Sequence, residues 1–269
     1  MDTPRLVASD IDGTLLDPYE QLTVRTLSAI TRVRAAGAPF VLVSGRPPRW
    51  IPPVAEAAGL DGYAVCANGA IVYDIGTGEI VTSHGLDPLL LTDVTHALEK
   101  VLPGIQVATE RAVSGQIPGR EAFATEAGYS NPWGDVENNT KPRAEVLGHP
   151  ATKLLVRHQG MTSAEMALAA VELLGDSVDV TYSTNRGLIE IAAPGVTKAS
   201  GLAEVAALAG VEPDRVVAFG DMPNDIDMLR WAGLGVAMSN AHDDVKAAAD
   251  EVAGSNADDG VAEVLERWF

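Results

Sequence analysis

Asp10 and Asp12 stand two residues apart at the end of a short apolar run, Leu6-Val7-Ala8-Ser9, and Gly13 follows them. The run reads as a buried strand. In extended chain, residues two apart project to the same side. Both carboxylates are therefore expected over one small volume at the strand's carboxyl end, where open α/β sheets bind ligands. Two carboxylates that close cannot both stay ionised cheaply. A divalent cation, or a proton held on one of them, relieves the repulsion. Taken alone, the pair reads first as an acidic turn whose glycine supplies an unusual backbone angle.

Three later stretches change that reading. Phe40-Val41-Leu42-Val43 is a second apolar run, and it ends in Ser44-Gly45-Arg46. Lys198 opens a helical stretch after Pro194-Gly195-Val196-Thr197. Val216 to Phe219 is a further run, ending in Gly220-Asp221-Met222-Pro223-Asn224-Asp225. In order and content, SDIDGTLLD, SGR, VTKASGL and GDMPNDIDM resemble the haloacid dehalogenase superfamily of phosphatases. Within it, the chain resembles the Cof-type sugar phosphatases, which carry a class IIB cap. Asn68-Gly69-Ala70, the stretch Gly235 to Ala241 and the tail Ser255 to Val261 support the likeness. It covers roughly residues 5–84 and 188–262. Four motifs in order are far more specific than any one of them.

The resemblance implies roles, and the residue types suit them. Asp10 would attack phosphorus and form an aspartyl-phosphate, splitting one hard step into two. Asp12 would protonate the leaving oxygen and then deprotonate water. Magnesium, a hard cation with oxygen ligands, would be held by Asp10, the Asp12 backbone carbonyl and Asp221, with Asp225 behind them. Ser44, the Gly45 and Ile11 amides and Asn224 would hold phosphate oxygens, and Lys198 would neutralise their charge. Taken singly, Ser44 and Asn224 read as helix caps, Lys198 as a solvated helix residue, and Asp221 and Asp225 as a solvated turn. Arg46 reads as a structural salt bridge. His84, His96, His149, His158 and His242 form no metal-ligand spacing, and Cys66 lies in an apolar run that suits a buried inert thiol.

The elements that must position these groups are legible from period and punctuation. Thr23 caps a helix that carries Val24, Leu27, Ile30 and Val33 at helical spacing and ends at Gly37. Strand 40–43, a short helix over 48–58 and strand 63–67 follow, which is the alternation of a parallel sheet with crossover helices. Residues 70–73 and 79–82 read as a hairpin about Gly76-Thr77-Gly78. Alternation resumes after Lys198: a helix to about Leu208, strand 216–219, a helix near Asn224, strand 234–237 and a helix over 242–249. A last helix carries Val261, Val264, Leu265 and Trp268. The expected fold is a doubly wound parallel-sheet (Rossmann-like) α/β core, residues 1–84 and 188–269, interrupted by an α+β cap domain, residues 85–187.

In the insertion, Asp87-Pro88 opens a helix to about Leu102, 105–109 and 153–158 read as strands, and Thr162 with Glu165 makes a capping box for a helix closed by Gly175. Strands 178–183 and 188–192 flank Thr184-Asn185-Arg186-Gly187. Residues 111–150 give no assignable pattern. The core motifs contact phosphate and metal, so the insertion must read the leaving group. Trp133 suits stacking on a sugar face, and Asn138, Asn139, Arg143, Asn185 and Arg186 suit hydroxyl recognition, although any one of them taken singly reads as a solvated loop residue.

Charge and composition exclude other classes. The formal net charge is −18 with no basic tract, which argues against nucleic acid. A phosphate ligand then needs local positive charge, from a metal and Lys198. No apolar stretch approaches a membrane span, and Met1-Asp2-Thr3-Pro4 starts no signal peptide. One cysteine excludes an intramolecular disulfide. The expectation is a cytoplasmic enzyme, a monomer or weak homodimer, acting on a small-molecule phosphate ester of the sugar phosphate class. A phosphomutase of the same superfamily is the rival enzyme, and a catalytically inactive phosphometabolite-binding regulator is the rival outside catalysis. An inactive module would be expected to have lost Asp10, Asp12, Lys198 or Asp221, and none is lost.

Overall fold

The computed structural model describes residues 2–112, 122–131, 134 and 137–269. The chain divides into two compact units, residues 1–81 with 197–269 and residues 82–196. Each has its own sheet.

The first unit is built on β1 (Leu6–Ser9), β2 (Phe40–Val43) and β3 (Tyr63–Cys66), with α1 (Val24–Ala35) and α2 (Pro52–Ala58) as crossovers. Thr23 caps α1 by accepting the Thr26 amide. Gly59 ends α2 in the left-handed region, the conformation glycine adopts without a Cβ penalty. After α6 (Lys198–Ala209), the chain adds β12 (Val216–Gly220), α7 (Ile226–Trp231), β13 (Leu234–Ala237), α8 (Asp243–Ala248), β14 (Glu251–Val252) and α9 (Gly260–Leu265). Strand order is β14-β13-β12-β1-β2-β3, all parallel, then β4 (Ile71–Asp74) antiparallel to β3, then β5 (Glu79–Ser83). The order runs one way from β1 through β2 and β3 and the other way through β12 and β13. That makes β1 the switch point of a doubly wound sheet, where the crevice outside the carboxyl ends opens. The strands are continuous apolar runs because both faces are covered. Leu6, Val7, Ala8, Leu42, Val43, Val217 and Phe219 are fully buried.

The second unit contains α3 (Pro88–Val101), β6 (Gln106–Glu110), β7 (Phe123–Thr125), β8 (Asn139–Thr140), α4 (Arg143–Leu147), β9 (Lys153–Arg157), α5 (Ser163–Leu174), β10 (Asp179–Thr181) and β11 (Leu188–Ala192). Its sheet runs β10-β11-β9-β6-β7-β8 and is antiparallel except for the β7–β8 pair. Both expected caps form: Asp87 accepts the Leu89 and Leu90 amides, and Thr162 with Glu165 closes a reciprocal box. Part of the unassigned stretch 111–150 is structured, as β7, β8 and α4.

The returning boundary differs from the sequence reading. Leu188–Ala192, expected to open the returning core, pairs antiparallel with β9 and β10. Ile189 and Ile191 bury with Leu154 and Val156 of β9 and with Leu91 and Leu98 of α3. The chain therefore re-enters the first unit at a helix, α6, and the break falls between Val196 and Thr197. Among the described residues, no helix is long and apolar enough to cross a membrane.

One close approach fixes how α6 enters. Gly69 sits at φ +101°, and a Cβ there would lie 1.9 Å from the Thr197 carbonyl oxygen. Backbone contact at that range tolerates no side chain. Gly69→Ala is therefore expected to cost about 3 kcal/mol or more, combining backbone strain with overpacking. Gly37 is the control. It has φ +82° but nothing within 4 Å of its virtual Cβ, so Gly37→Ala should cost only about 1–2 kcal/mol. Urea unfolding midpoints decide the point, and equal losses would refute the packing argument.

Candidate active site

The carboxyl ends of β1, β2 and β12 meet at the switch point, and each delivers polar residues there. Asp10 follows β1 and its amide donates to the Phe219 carbonyl at 3.0 Å. Asp221 follows β12, and Asp225 lies four residues on. Carboxylate oxygens of Asp10, Asp221 and Asp225 lie within 4.8 Å of one another, and all three residues are buried. Lys198 Nζ donates to Asp10 Oδ1 and to Asp225 Oδ1, each at 2.6 Å. The lysine is 1% exposed, so the solvated-helix reading of Lys198 does not hold. It is the first residue of α6, and the Thr197 cap fixes where that helix starts.

Each acid is braced. Asp225 Oδ2 accepts the amides of Asp221 and Met222, both at 3.0 Å. A Cβ on Gly220 would lie 2.4 Å from Asp225 Cβ, so only glycine lets the turn close on it. Thr14 Oγ1 donates to Asp221 Oδ1 at 2.9 Å. Gly13, at φ +81°, would put a Cβ 2.3 Å from Asp221 Oδ2. The Asp10–Leu16 loop is tied to two later segments. Asn240 Nδ2 donates to the Gly13 carbonyl, and Asn256 Nδ2 donates to the Leu16 carbonyl, both at 2.8 Å. Asn240 Oδ1 also accepts the Asn256 amide. These contacts give a physical role to the two supporting stretches, Gly235 to Ala241 and Ser255 to Val261.

The electrostatics follow from this crowding. Burial, with the neighbouring Asp225, Asp221 and Asp12 adding to it, raises the Asp10 carboxyl well above its ordinary range, while Lys198 opposes the shift. Burial and Asp225 push Asp221 up to about 7, against the pull of Thr14 and Lys198. Burial disfavours the Lys198 charge, but Asp10 and Asp225 outweigh it and the ammonium is held above its ordinary value. Three carboxylates and one ammonium leave two negative charges formally unbalanced. The donor set is oxygen only, with no histidine or thiol. It fits a hard divalent cation such as magnesium.

Asp12 departs from the alternation argument. The strand ends at Ser9, and Asp12 lies in the turn that follows. Its side chain is 53% exposed and takes a bidentate pair from Arg46, Nε to Oδ2 at 2.8 Å and Nη2 to Oδ1 at 2.5 Å. The Asp12 carboxylate is not part of the buried three-acid cluster. Arg46 is thus a salt bridge, but one made to an expected catalytic group, which the sequence reading did not anticipate. Ser44 is buried, and its Oγ accepts the Arg46 amide at 3.1 Å. Ile11 is buried between Asp10 and Asp12 in the chain, and Gly45 lies against Asn68, whose Oδ1 would be 3.0 Å from a Gly45 Cβ.

Asn224 is not a helix cap. Asp225 supplies the side-chain cap of that turn, and Asn224 Nδ2 donates to Asn68 Oδ1 at 3.1 Å. Asn224 Oδ1 is buried without a partner, an acceptor oriented by Asn68 beside the acidic cluster. Asn68 carried no assigned role in the sequence, because only the fold brings residue 68 to residue 224.

Several candidates in the second unit are already engaged. Arg143 pairs with Glu126, Nε to Oε2 at 2.6 Å, and with Glu99. Its fork is committed to structure and is withdrawn as a hydroxyl reader. Asn185 Oδ1 accepts the Ala164 amide at 3.2 Å at the start of α5. Asn138 Nδ2 reaches the Tyr129 carbonyl at 3.4 Å, and Asn139 lies in β8. Arg186 is exposed. Trp133 lies outside the described residues.

The chain was compared with known proteins. A family profile described as haloacid dehalogenase-like hydrolase matches residues 7–265. The chain is 30% identical to pyridoxal phosphate phosphatase YbhA of Escherichia coli (strain K12), over 98% of both chains. It is also 30% identical to 5-amino-6-(5-phospho-D-ribitylamino)uracil phosphatase YitU of Bacillus subtilis (strain 168), over 99% of this chain and 98% of the other. Among solved structures, the subclass IIB sugar phosphatase BT4131 superposes with a TM-score of 0.81 at 22% identity, covering 98% of each chain. With a whole-length profile match and relatives at this identity, the chain belongs to the haloacid dehalogenase-like hydrolases, in the Cof-type phosphatase branch of that family.

Proposed function

We propose that this chain is a magnesium-dependent phosphatase that hydrolyses a small phosphate monoester through an aspartyl-phosphate on Asp10. The observation that carries the reading is the buried Lys198 ammonium shared between Asp10 and Asp225 within a three-carboxylate cluster. Asp10 and Asp221, with the Asp12 carbonyl, would hold the cation, which supplies charge neutralisation when bound. Asp10 attacks phosphorus. Lys198 fixes one oxygen of the attacking carboxylate and neutralises charge on the transferred group. The amides of Ile11 and Gly45, Ser44 Oγ and Asn224 hold phosphoryl oxygens. Asp12, positioned by Arg46, passes a proton to the leaving oxygen and later takes one from water. A carboxylate offers about four lone-pair sites, so the bidentate pair with Arg46 leaves room for that exchange.

A phosphomutase would use the same Asp10 chemistry and return the phosphoryl group to the sugar. Release of inorganic phosphate separates the two. An inactive binding protein is disfavoured because every motif side chain is present and braced.

The first unit's motifs suit a phosphoryl group and a cation, so the leaving group is assigned to the second unit acting as a cap. The substrate class is a sugar, polyol or cofactor phosphate. The relatives named for pyridoxal phosphate and for a phospho-D-ribityl compound support this breadth.

Four experiments test the reading. Asp10→Asn abolishes turnover while its circular dichroism spectrum is retained, and excess chelator silences the native protein until magnesium is restored. Substantial turnover in either case sinks the mechanism. Lys198→Met lowers kcat/KM by about 10²–10³. Because Lys198 is buried, the substitution also destabilises the fold: breaking a buried pair costs about 3–5 kcal/mol. Wild-type kinetics in that variant would end the assignment. Alanine at Asn138, Asn139, Asn185 and Arg186 reorders kcat/KM among sugar and polyol phosphates by about tenfold or more, with a smaller effect on an aryl phosphate. An unchanged ranking places recognition elsewhere.

A further inference from the structure

We propose that Asn68 is a positioning residue for phosphoryl transfer, acting through Asn224. The inference rests on the reading above, in which Asn224 contacts the transferred group.

Residues 67–69 turn through three successive left-handed conformations: Ala67 at φ +52°, Asn68 at φ +58° and Gly69 at φ +101°. Two of the three carry a Cβ, and residues with side chains rarely take that region. Such strain persists only where the surroundings over-determine it, and here they do. The Ala67 amide donates to the Arg46 carbonyl at 2.9 Å and the Asn68 amide to the Ser44 carbonyl at 3.0 Å. Gly69 abuts the Thr197 carbonyl, directly before Lys198. The turn therefore gathers the Ser44–Arg46 segment and the start of α6 around one side chain. That side chain is Asn68, which is 4% exposed.

What Asn68 does there follows from amide chemistry. A carboxamide has two nearly isosteric orientations, with its oxygen and its NH₂ exchanged. With Asn68 Oδ1 facing Asn224, as the structure places it, the Asn224 orientation that turns its NH₂ toward that oxygen makes the 3.1 Å bond. That choice spends one Nδ2 hydrogen on Asn68. It also fixes where the second hydrogen and the partnerless Oδ1 of Asn224 lie. Asn224 is 9% exposed, so solvent has little access to select its orientation. Without Asn68, the amide must be ordered when substrate binds, and misplacement of a positioning group is costly in rate.

The test is a double-mutant cycle on kcat/KM with p-nitrophenyl phosphate and magnesium, using Asn68→Gly, Asn224→Ala and the double variant. Glycine is chosen because it accepts the left-handed backbone. Should Asn68→Gly not fold, Asn68→Ser, which also removes the amide, takes its place in the cycle. The expected result is a loss of about tenfold or more in each single variant, with the second substitution adding less than about twofold. Inhibition by inorganic phosphate weakens in parallel. Full activity in the Asn68 variant, or losses that multiply through the double variant, overturns the assignment. Asp10→Asn separates the two levels. If it is inactive while the Asn68 variant is unimpaired, only the Asn68 assignment fails; if it remains active, the phosphatase reading itself fails.

Discussion

A buried ammonium between two buried carboxylates is the constraint on which this site depends. Lys198 meets Asp10 and Asp225 at 2.6 Å each, and none of the three could be buried as a lone charge without a large desolvation cost. Packing apolar groups there would be at least as stabilising in principle. On the proposed mechanism the ion pairs have a chemical reason: a nucleophile held in place, with a positive charge already beside the phosphorus it would attack. Asp221, whose carboxyl is pushed up to about 7 by burial and Asp225, sits in a cluster with surplus negative charge. Such a cluster is a poor fold element but a good cation site.

Bringing these groups together requires backbones closer than side chains allow. Gly13 lets the Asp10 loop approach Asp221, Gly220 lets the turn after β12 fold back on Asp225, and Gly69 lets the turn after β3 touch Thr197. Gly201, one turn into α6, would put a Cβ 2.6 Å from Val65 and 2.9 Å from Gly69 Cα. Each glycine relieves a different pairwise clash at one convergence point. The asparagine contacts at residues 240 and 256 supply the opposite function, tethering the loop that the glycines leave permissive. Freedom to approach and restraint against drift are thus separated between residue types.

Much of the first unit was legible because its signals are local. Strand runs, the Thr23 cap, the helix end at Gly37 and the motif order all lie within a few residues of the structure they specify. What escaped was non-local. Arg46 reads as a salt bridge from its type, but its partner Asp12 is 34 residues away. Asn68 meets Asn224 across 156 residues, and nothing short of the sheet order brings them together. Alternation misplaced the Asp12 side chain because the strand stops before it. Leu188–Ala192 looked like a core strand because a buried strand shows the same apolar run in either sheet, and pairing alone decides between them. Arg143 looked like a ligand reader because an ion pair with Glu99 and Glu126 leaves no trace in local sequence.

The acidity of the chain sets a final condition on the site. At a net charge of −18, the long-range field repels a phosphate ester, and salt only partly screens that repulsion near the surface. Capture must therefore be local. On the mechanism proposed above, Lys198, the amino end of α6, Arg46 at the rim and a cation held by Asp10 and Asp221 would reverse the sign of the potential over a few ångströms. Lys198 is buried, in a low-dielectric setting where a given charge acts most strongly. The surface acids need not be reduced for the site to hold an anion, because their influence is damped by solvent while the buried charges are not. The same burial that makes the acidic cluster costly to fold is what would let Lys198, together with a cation on that cluster, outweigh a surface of carboxylates.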